Sequence, residues 1–206
     1  MENKNYGFET LMIHAGFDGE PTTHAVVPPL YNTNAYTFDS GEHAKRLFEL
    51  SETGNIYSRL QNPTCEIFEK RVAALDGGIG ALSFSSGHAA IFNTVVNLCS
   101  EGDEMVSSIN IYGGAVNMLG VTLKRLGITV KFVDPDDFDA WEAAITDKTK
   151  LLFTEVIGNP NVNVSDLEKI AATDGHTVYD FEQYILNWLC KNVEYSDNNK
   201  DDLIYT

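Results

Sequence analysis

From residue 63 to about residue 172, segments with helical spacing alternate with short apolar segments. The helical candidates are TCEIFEKRVAAL, SSGHAAIFNTVVNLC, GGAVNMLGVTLKRLG, DFDAWEAAI and DLEKIAA, and the strand candidates are ALSF, EMVSSI, ITVKFVD and KLLFTEV. Chains that alternate in this way fold into a mostly parallel sheet with helices packed on its faces. We therefore predict an α/β fold for residues 63–172.

Residues 1–62 are predicted to form an irregular arm. The stretch HAVVPPLYNTNAYTF mixes a proline pair with aromatic and β-branched residues, and proline pairs favour an extended backbone. A short helix is predicted from GEHAKRLFEL, with Ser40 as its N-cap. Because the arm has too little apolar surface for a core of its own, we expect it to pack on another subunit.

Residues 173–206 have a different composition and are predicted to be an acidic tail. Its apolar residues recur at helical spacing, which indicates one amphipathic helix. These residues are Phe181, Tyr184, Ile185, Trp188, Leu189 and Val193. The predicted organisation is therefore an arm (1–62), a partial α/β domain (63–172) and a divergent tail (173–206).

Charge and cysteine usage exclude several classes of function. A formal net charge of −16 argues against sequence-independent nucleic-acid binding and against docking on anionic membranes. No apolar run is long enough for a membrane span, and the N-terminus lacks the pattern of a signal peptide. The three cysteines form no CxxC pair and the histidines no HxxxH pair, so we expect a cytoplasmic protein without a metal site.

The stretch YSRLQNPT, from Tyr57 to Thr64, is a candidate anion clamp. The guanidinium of Arg59 matches the geometry of a phosphate group, and the phenol of Tyr57 can add one further hydrogen bond.

The stretch SFSSGHAA lies between a predicted strand and a predicted helix, and is a second candidate anion site. Such junctions present free backbone N–H groups at the positive end of the helix dipole. Ser86 and Gly87 are small enough for a phosphate to approach. The stretch lacks the spacing of a P-loop, of GxGxxG and of a nucleophile elbow. The alternative is a turn without a ligand.

Two further candidates follow predicted strands, at the sheet edge where α/β proteins bind ligands. Tyr112 in IYGG could stack on a flat ligand, and Asn159 in GNPNVNV could donate an amide N–H to a ligand oxygen. The alternatives are an amphipathic tyrosine at a strand end and an Asn-Pro turn.

Together, the stretches YSRLQNPT, SFSSGHAA, IYGG and TEVIGNPNVNVSDLEKIA occur in the order and rough spacing of one family. Over roughly residues 7–172 the chain resembles the pyridoxal-phosphate-dependent Cys/Met-metabolism (transsulfuration) family, and most of all its O-acetylhomoserine sulfhydrylase branch. The resemblance implies an N-terminal arm and an incomplete large domain of the type I (aspartate aminotransferase-like) fold of PLP-dependent transferases.

The resemblance also implies roles for the candidate residues. Tyr57 and Arg59 resemble the pair that reaches across a dimer interface to the neighbouring subunit's cofactor phosphate. Ser86, Gly87 and His88 resemble the turn whose backbone N–H groups bind the same phosphate. The family often has Met or Gln where His88 stands, a change that a backbone contact tolerates.

Tyr112 resembles the tyrosine that stacks over the pyridine ring, and Asn159 resembles the asparagine near the ring hydroxyl. The implied cofactor is pyridoxal 5'-phosphate. The implied reaction is γ-replacement on O-acetylhomoserine, a small amino-acid substrate, with sulfide or a thiol to give homocysteine or methionine. The implied assembly is a homodimer or homotetramer.

The chain departs from the family after residue 172. The Ser-x-Thr-Lys-type motif with the Schiff-base lysine and the Val-Asp-Asn-like strand do not occur, and Asp180 in TVYDFEQY lies in a different context. We therefore assign no catalytic residue and expect the chain alone to be an inactive fragment of a family member. The alternative is a non-catalytic α/β remnant that binds phosphate ligands weakly or pairs with a full-length homologue.

Overall fold

The computed structural model describes residues 6–174, which form two compact units, residues 6–83 and residues 84–174. The predicted helix of the tail and Asp180 lie outside the described residues. The predicted domain boundaries at residues 62 and 172 remain predictions. In the described part of the chain, no helix combines the length and apolar character needed to cross a membrane.

The first unit contains three helices: α1 (Phe8–His14), α2 (Gly41–Phe48) and α3 (Pro63–Asp76). Helix α1, which we did not predict, packs against α3. The predicted cap of α2 is confirmed, because the Ser40 side chain accepts a hydrogen bond from the His43 N–H. The Arg71 Nε–H donates to the Ala15 carbonyl at 2.8 Å and so ties the end of α1 to α3.

Helix α3 begins one residue earlier than the predicted start at Thr64. Pro63 occupies its first position, and Asn62 is the N-cap, with its side-chain oxygen accepting from the Thr64 N–H at 2.9 Å. The Thr64 hydroxyl instead accepts from the Tyr31 N–H at 2.9 Å. Helix α3 ends at Gly77, in the left-handed conformation at φ 70°.

The strand predicted from ALSF is wrong, because residues 81–84 have no regular secondary structure. The Ser83 N–H, which a sheet ladder would use, donates to the Glu69 carboxylate at 2.8 Å. The Ser83 hydroxyl donates to the same carboxylate oxygen at 2.7 Å. The Glu69 carboxylate on α3 therefore accepts the hydrogen bond that the carbonyl of a neighbouring strand would accept.

The second unit is built on a three-stranded parallel sheet with the order β2-β1-β3, which confirms the predicted fold class. Its elements are α4 (Gly87–Leu98), β1 (Glu104–Ser108), α5 (Gly113–Asn117), β2 (Thr129–Val133), α6 (Phe138–Ala144), β3 (Thr149–Phe153) and α7 (Leu167–Ala172). Helix α5 continues as a π turn (Met118–Thr122) and a 3-10 turn (Leu123–Leu126) up to Gly127, which has φ 78°. The segment GGAVNMLGVTLKRLG is therefore helical as predicted, and its last residue, Gly127, ends the helix.

Helices cover both faces of the sheet. Successive residues of β1 point to opposite sides, so neighbouring residues of this strand belong to different apolar clusters. Met105 belongs to one apolar cluster, with the helical residues Val95, Ala115, Leu119 and Leu123 among its members. Val106 belongs to the other cluster, with Trp141 of α6 and Ile170 of α7. The sheet is thus the middle layer of three. Because apolar clusters occupy both faces, polar side chains are expected at the edges of the sheet.

A part-buried ion pair joins two strands at the amino edge of the sheet. Lys131 Nζ lies 2.6 Å from Glu104 Oε2, and the Thr146 hydroxyl donates to the same oxygen at 2.8 Å. These hydrogen bonds, that from Lys131 first, hold the pKa of Glu104 below its ordinary value near 4.5. The folded state thus gains stability that is complete above pH 4.5 and is lost as pH falls through the lowered pKa.

We expect Glu104→Gln to lower the thermal midpoint at pH 7 and to reduce the loss of stability between about pH 5 and pH 3. Thermal unfolding followed by circular dichroism across that range measures both effects. The control is Glu142→Gln, because Glu142 is exposed and forms no ion pair with a described residue. Equal acid dependence in the two variants would contradict a stabilising role of the Glu104 carboxylate.

Candidate functional site

The carboxyl edge of the sheet carries two polar loops that follow the adjacent strands β1 and β3. Ser108, fully buried at the end of β1, accepts a hydrogen bond from the Asn110 N–H at 3.0 Å and so turns the chain sharply after the strand. After β3, the chain forms a narrow turn closed by an isolated antiparallel bridge between Ile157 and Val164. Parallel strands deliver both loops to the same edge.

The N-terminus of α4 presents backbone donors. The Ser86 side chain caps the helix by accepting from the Ala89 N–H at 3.1 Å. The N–H groups of Gly87 and His88 donate to no acceptor among the described residues. Nothing lies within 4 Å of the place where a Gly87 Cβ would stand, and the turn is exposed. Two free N–H groups at the positive end of a helix favour an anion.

Tyr112 lies beside this helix start. Its ring makes an edge-to-face contact with the His88 ring, with the centroids 6.5 Å apart. The Tyr112 N–H donates to the Glu155 carboxylate at 2.9 Å. Gly114 lies under the ring, where any Cβ would collide with it. With 56% of its surface exposed, Tyr112 has a face available to a flat ligand.

Asn159 is exposed at the tip of the turn after β3. Its N–H donates to the Asn110 carbonyl at 3.1 Å, which joins it to the loop after β1. The side chain of Asn110 contacts those of Asn161 and Asn163 at 3.3 Å and 3.4 Å. The second unit therefore holds Ser86, Gly87, His88, Tyr112 and Asn159, and a direct contact joins His88 and Tyr112.

Tyr57 and Arg59 lie in the first unit, and both are exposed. The guanidinium carbon of Arg59 lies 5.4 Å from the centre of the Tyr57 ring, which is within cation–π range. No described carboxylate lies within ion-pair distance of Arg59. The chain has 30 acidic residues, yet no described acid neutralises the charge of Arg59. Its guanidinium is therefore available to an external anion.

Sequence reasoning missed Glu155 and Asn110, which brace the loops that carry Tyr112 and Asn159. Glu155 could have been found, because it follows an apolar strand in the same way as Asn159 does. Asn110 gives no such signal, since it acts in part through its backbone carbonyl. Burial raises the pKa of the Cys99 thiol to about 11, so this cysteine is a core residue rather than a nucleophile.

Residues 9–178 match the model of the family described as Cys/Met metabolism PLP-dependent enzyme. The chain is 51% identical over 165 residues to O-acetyl-L-homoserine sulfhydrylase 1 of Thermus thermophilus, covering 80% of this chain and 39% of that protein. It is 48% identical over 164 residues to the homocysteine synthase of Schizosaccharomyces pombe, covering 80% and 38% of the two chains.

Solved structures agree with the sequence comparison. A protein from Campylobacter jejuni proposed to be an O-acetylhomoserine (thiol)-lyase superimposes with a TM-score of 0.80 and 38% identity, over 83% of this chain and 42% of that one. In that structure a lysine carries a pyridoxyl phosphate group. The chain thus spans about 38% of the length of the curated relatives that it matches.

Proposed function

Since this chain belongs to the Cys/Met metabolism PLP-dependent enzyme family, we propose that it provides cofactor-binding residues of an O-acetylhomoserine sulfhydrylase. The complete enzyme replaces the acetate of O-acetylhomoserine with sulfide or a thiol and produces homocysteine or methionine. It works in the cytoplasm as a homodimer or homotetramer. In this proposal the described residues bind and orient pyridoxal phosphate and its small amino-acid substrate.

The observation that carries the proposal is the pair of free N–H groups at the start of α4. Gly87 and His88 offer two donors to a phosphate, and the open space at Gly87 lets a phosphate oxygen come close to the backbone. The helix dipole adds a favourable field for the charge. Neither donor depends on a side chain, so His88 contributes through its backbone.

The neighbouring side chains fit the other end of the cofactor. The exposed ring of Tyr112 offers a stacking face, and Asn159 offers a side-chain amide on the loop joined to that of Tyr112. Tyr57 and Arg59 provide a second phosphate contact, which we assign to the cofactor of a neighbouring subunit. When bound, pyridoxal phosphate supplies an electron sink for carbanions. The described residues hold its phosphate and keep its ring in place.

We expect Gly87→Pro to weaken binding of pyridoxamine 5'-phosphate by about 10- to 150-fold. Proline at the first helical position keeps the helix and removes only one N–H donor. Losing a hydrogen bond to a charged group costs about 1.5–3 kcal/mol, which corresponds to that range. Isothermal titration calorimetry measures the effect. This probe has no aldehyde, so it forms no imine with surface lysines.

The matched control is Gly41→Pro. Gly41 also occupies the first position of a helix, follows a serine N-cap, and has nothing within 4 Å of its Cβ position. This variant should bind the probe as tightly as the unmodified chain. A second control is pyridoxamine, which lacks the phosphate and should bind poorly to every variant. If Gly87→Pro bound the probe with unchanged affinity, the proposed phosphate seat would be wrong.

A further inference from the structure

Asn62 is one of the few buried polar residues described, with 8% of its surface exposed, and it stands at the end of the stretch that carries Tyr57 and Arg59. We propose that Asn62 and Ser58 are positioning residues that fix the Tyr57–Arg59 clamp in the conformation that captures a phosphate group. This inference rests on the proposed function, in which the clamp holds a cofactor phosphate. It extends that function to two residues that act through the clamp.

The side chain of Asn62 uses both ends of its amide. Its Nδ2 donates to the Ser58 hydroxyl at 2.8 Å and to the Tyr31 carbonyl at 3.0 Å. Its Oδ1 accepts from the Thr64 N–H at 2.9 Å, which caps α3. One buried residue thus connects the clamp, the arm and the helix. We call these contacts the Asn62 network.

Ser58, between the two clamp residues, extends this network into the arm. Its hydroxyl donates to the Thr33 carbonyl, and its N–H donates to the Asn34 carbonyl at 3.0 Å. Tyr57 itself forms an antiparallel bridge with Ala35. The backbone of the clamp is therefore tied to successive residues of the arm.

The direction of the two clamp side chains follows from this backbone. Tyr57 and Arg59 are both exposed. The contact between the Arg59 guanidinium and the Tyr57 ring requires that both side chains point to the same side of the backbone. Ordering a long side chain upon binding costs affinity, and a fixed backbone reduces that cost. The Asn62 network therefore sets the affinity of the clamp rather than its chemistry.

The test is a titration of the full chain with inorganic phosphate, observed at the Arg59 Nε–H resonance by nitrogen–proton NMR. We expect Ser58→Ala to weaken phosphate binding at Arg59 about five-fold, the size expected when one arginine side chain must be ordered on binding. Ser58→Thr keeps the hydroxyl and should restore the affinity. Gln61→Ala, which changes an exposed amide in the same loop, is the matched control and should have no effect.

Asn62→Asp keeps the acceptor that caps α3 and removes the two donations to Ser58 and Tyr31. Because it places a carboxylate at a buried position and loses two hydrogen bonds, the thermal midpoint should fall. Phosphate binding at Arg59 should weaken as well, and since the new charge itself disfavours phosphate, the uncharged Ser58→Ala decides the positioning role. If Ser58→Ala and Asn62→Asp shifted the thermal midpoint while phosphate affinity stayed unchanged, the two residues would be structural only.

Failure of the positioning role and failure of the proposed function give different results. Binding of pyridoxamine 5'-phosphate that responds to Gly87→Pro supports the function whatever the clamp variants do. Unchanged phosphate affinity at Arg59 in Ser58→Ala would then overturn only the positioning role. An Arg59 resonance that does not respond to phosphate in the unmodified chain would also overturn it.

Discussion

Replacing Trp141 by alanine is expected to lower the free energy of unfolding by about 3–5 kcal/mol. Trp141 has no exposed surface and fills the space between β1 and α7, where it packs with Val106 and Ile170. Its indole N–H donates to the Asp134 carbonyl at 3.1 Å. The truncation leaves a cavity and removes one of the two hydrogen bonds that the Asp134 carbonyl accepts, the other coming from the Asp137 N–H at 3.2 Å. Both losses destabilise the folded state.

Urea unfolding followed by far-ultraviolet circular dichroism measures this effect. Trp141→Phe is the matched control, because it keeps an aromatic ring in the core and loses the hydrogen bond to Asp134. We expect this control to cost less than half as much as alanine. A loss below about 1 kcal/mol for Trp141→Ala would mean that the second face of the sheet contributes little to stability.

Gly16→Ala is expected to lower the free energy of unfolding by about 2–5 kcal/mol, through two causes that add. Gly16 has φ 82°, a left-handed conformation that costs a residue with a Cβ about 1–2 kcal/mol. A Cβ at this position would also lie 2.6 Å from the Ile67 carbonyl oxygen, in the backbone of α3. Relieving that overlap requires α1 and α3 to move apart, and overpacking of this kind costs about 1–3 kcal/mol.

Gly77→Ala separates the two causes. Gly77 has a similar φ of 70°, but nothing lies within 4 Å of its Cβ position. It should therefore show the conformational cost alone, about 1–2 kcal/mol. Thermal and urea unfolding of the two variants side by side provide the comparison. Equal losses would show that the chain after α1 shifts without resistance from α3.

The fold was predictable because short segments rich in apolar residues alternate along this chain with clear helices. Ser40 marks the start of a helix through local chemistry, so the sequence alone identified this cap correctly. The strand predicted from ALSF failed for a non-local reason. A glutamate on α3, fourteen positions earlier in the chain, takes the Ser83 hydrogen bonds that a strand would need.

The candidate site was predictable only in part. The sequence predicts which groups would face a ligand, because phosphate seats and stacking residues follow from residue type and position, and these roles remain predictions. It did not identify the residues that hold those groups. Asn62 and Asn110 act through contacts with segments distant in sequence, and one sequence without a structure gives no sign of those contacts. Glu155 also acts on a distant segment, but its position after an apolar strand is a signal that the sequence does give.

The loops after β1 and β3 are joined to each other as well as to their strands. The Glu155 carboxylate accepts from the Tyr112 N–H, and the Asn110 carbonyl accepts from the Asn159 N–H, so each loop supports a candidate ligand-binding residue on the other. For protein engineering, the two loops are a single transferable unit. Grafting a loop after β3 that lacks a carboxylate at the position of Glu155 would break the hydrogen bond to Tyr112, and the backbone hydrogen bond between Asn110 and Asn159 would persist only if the new loop kept the same path. Exchanging the two loops together would preserve both hydrogen bonds.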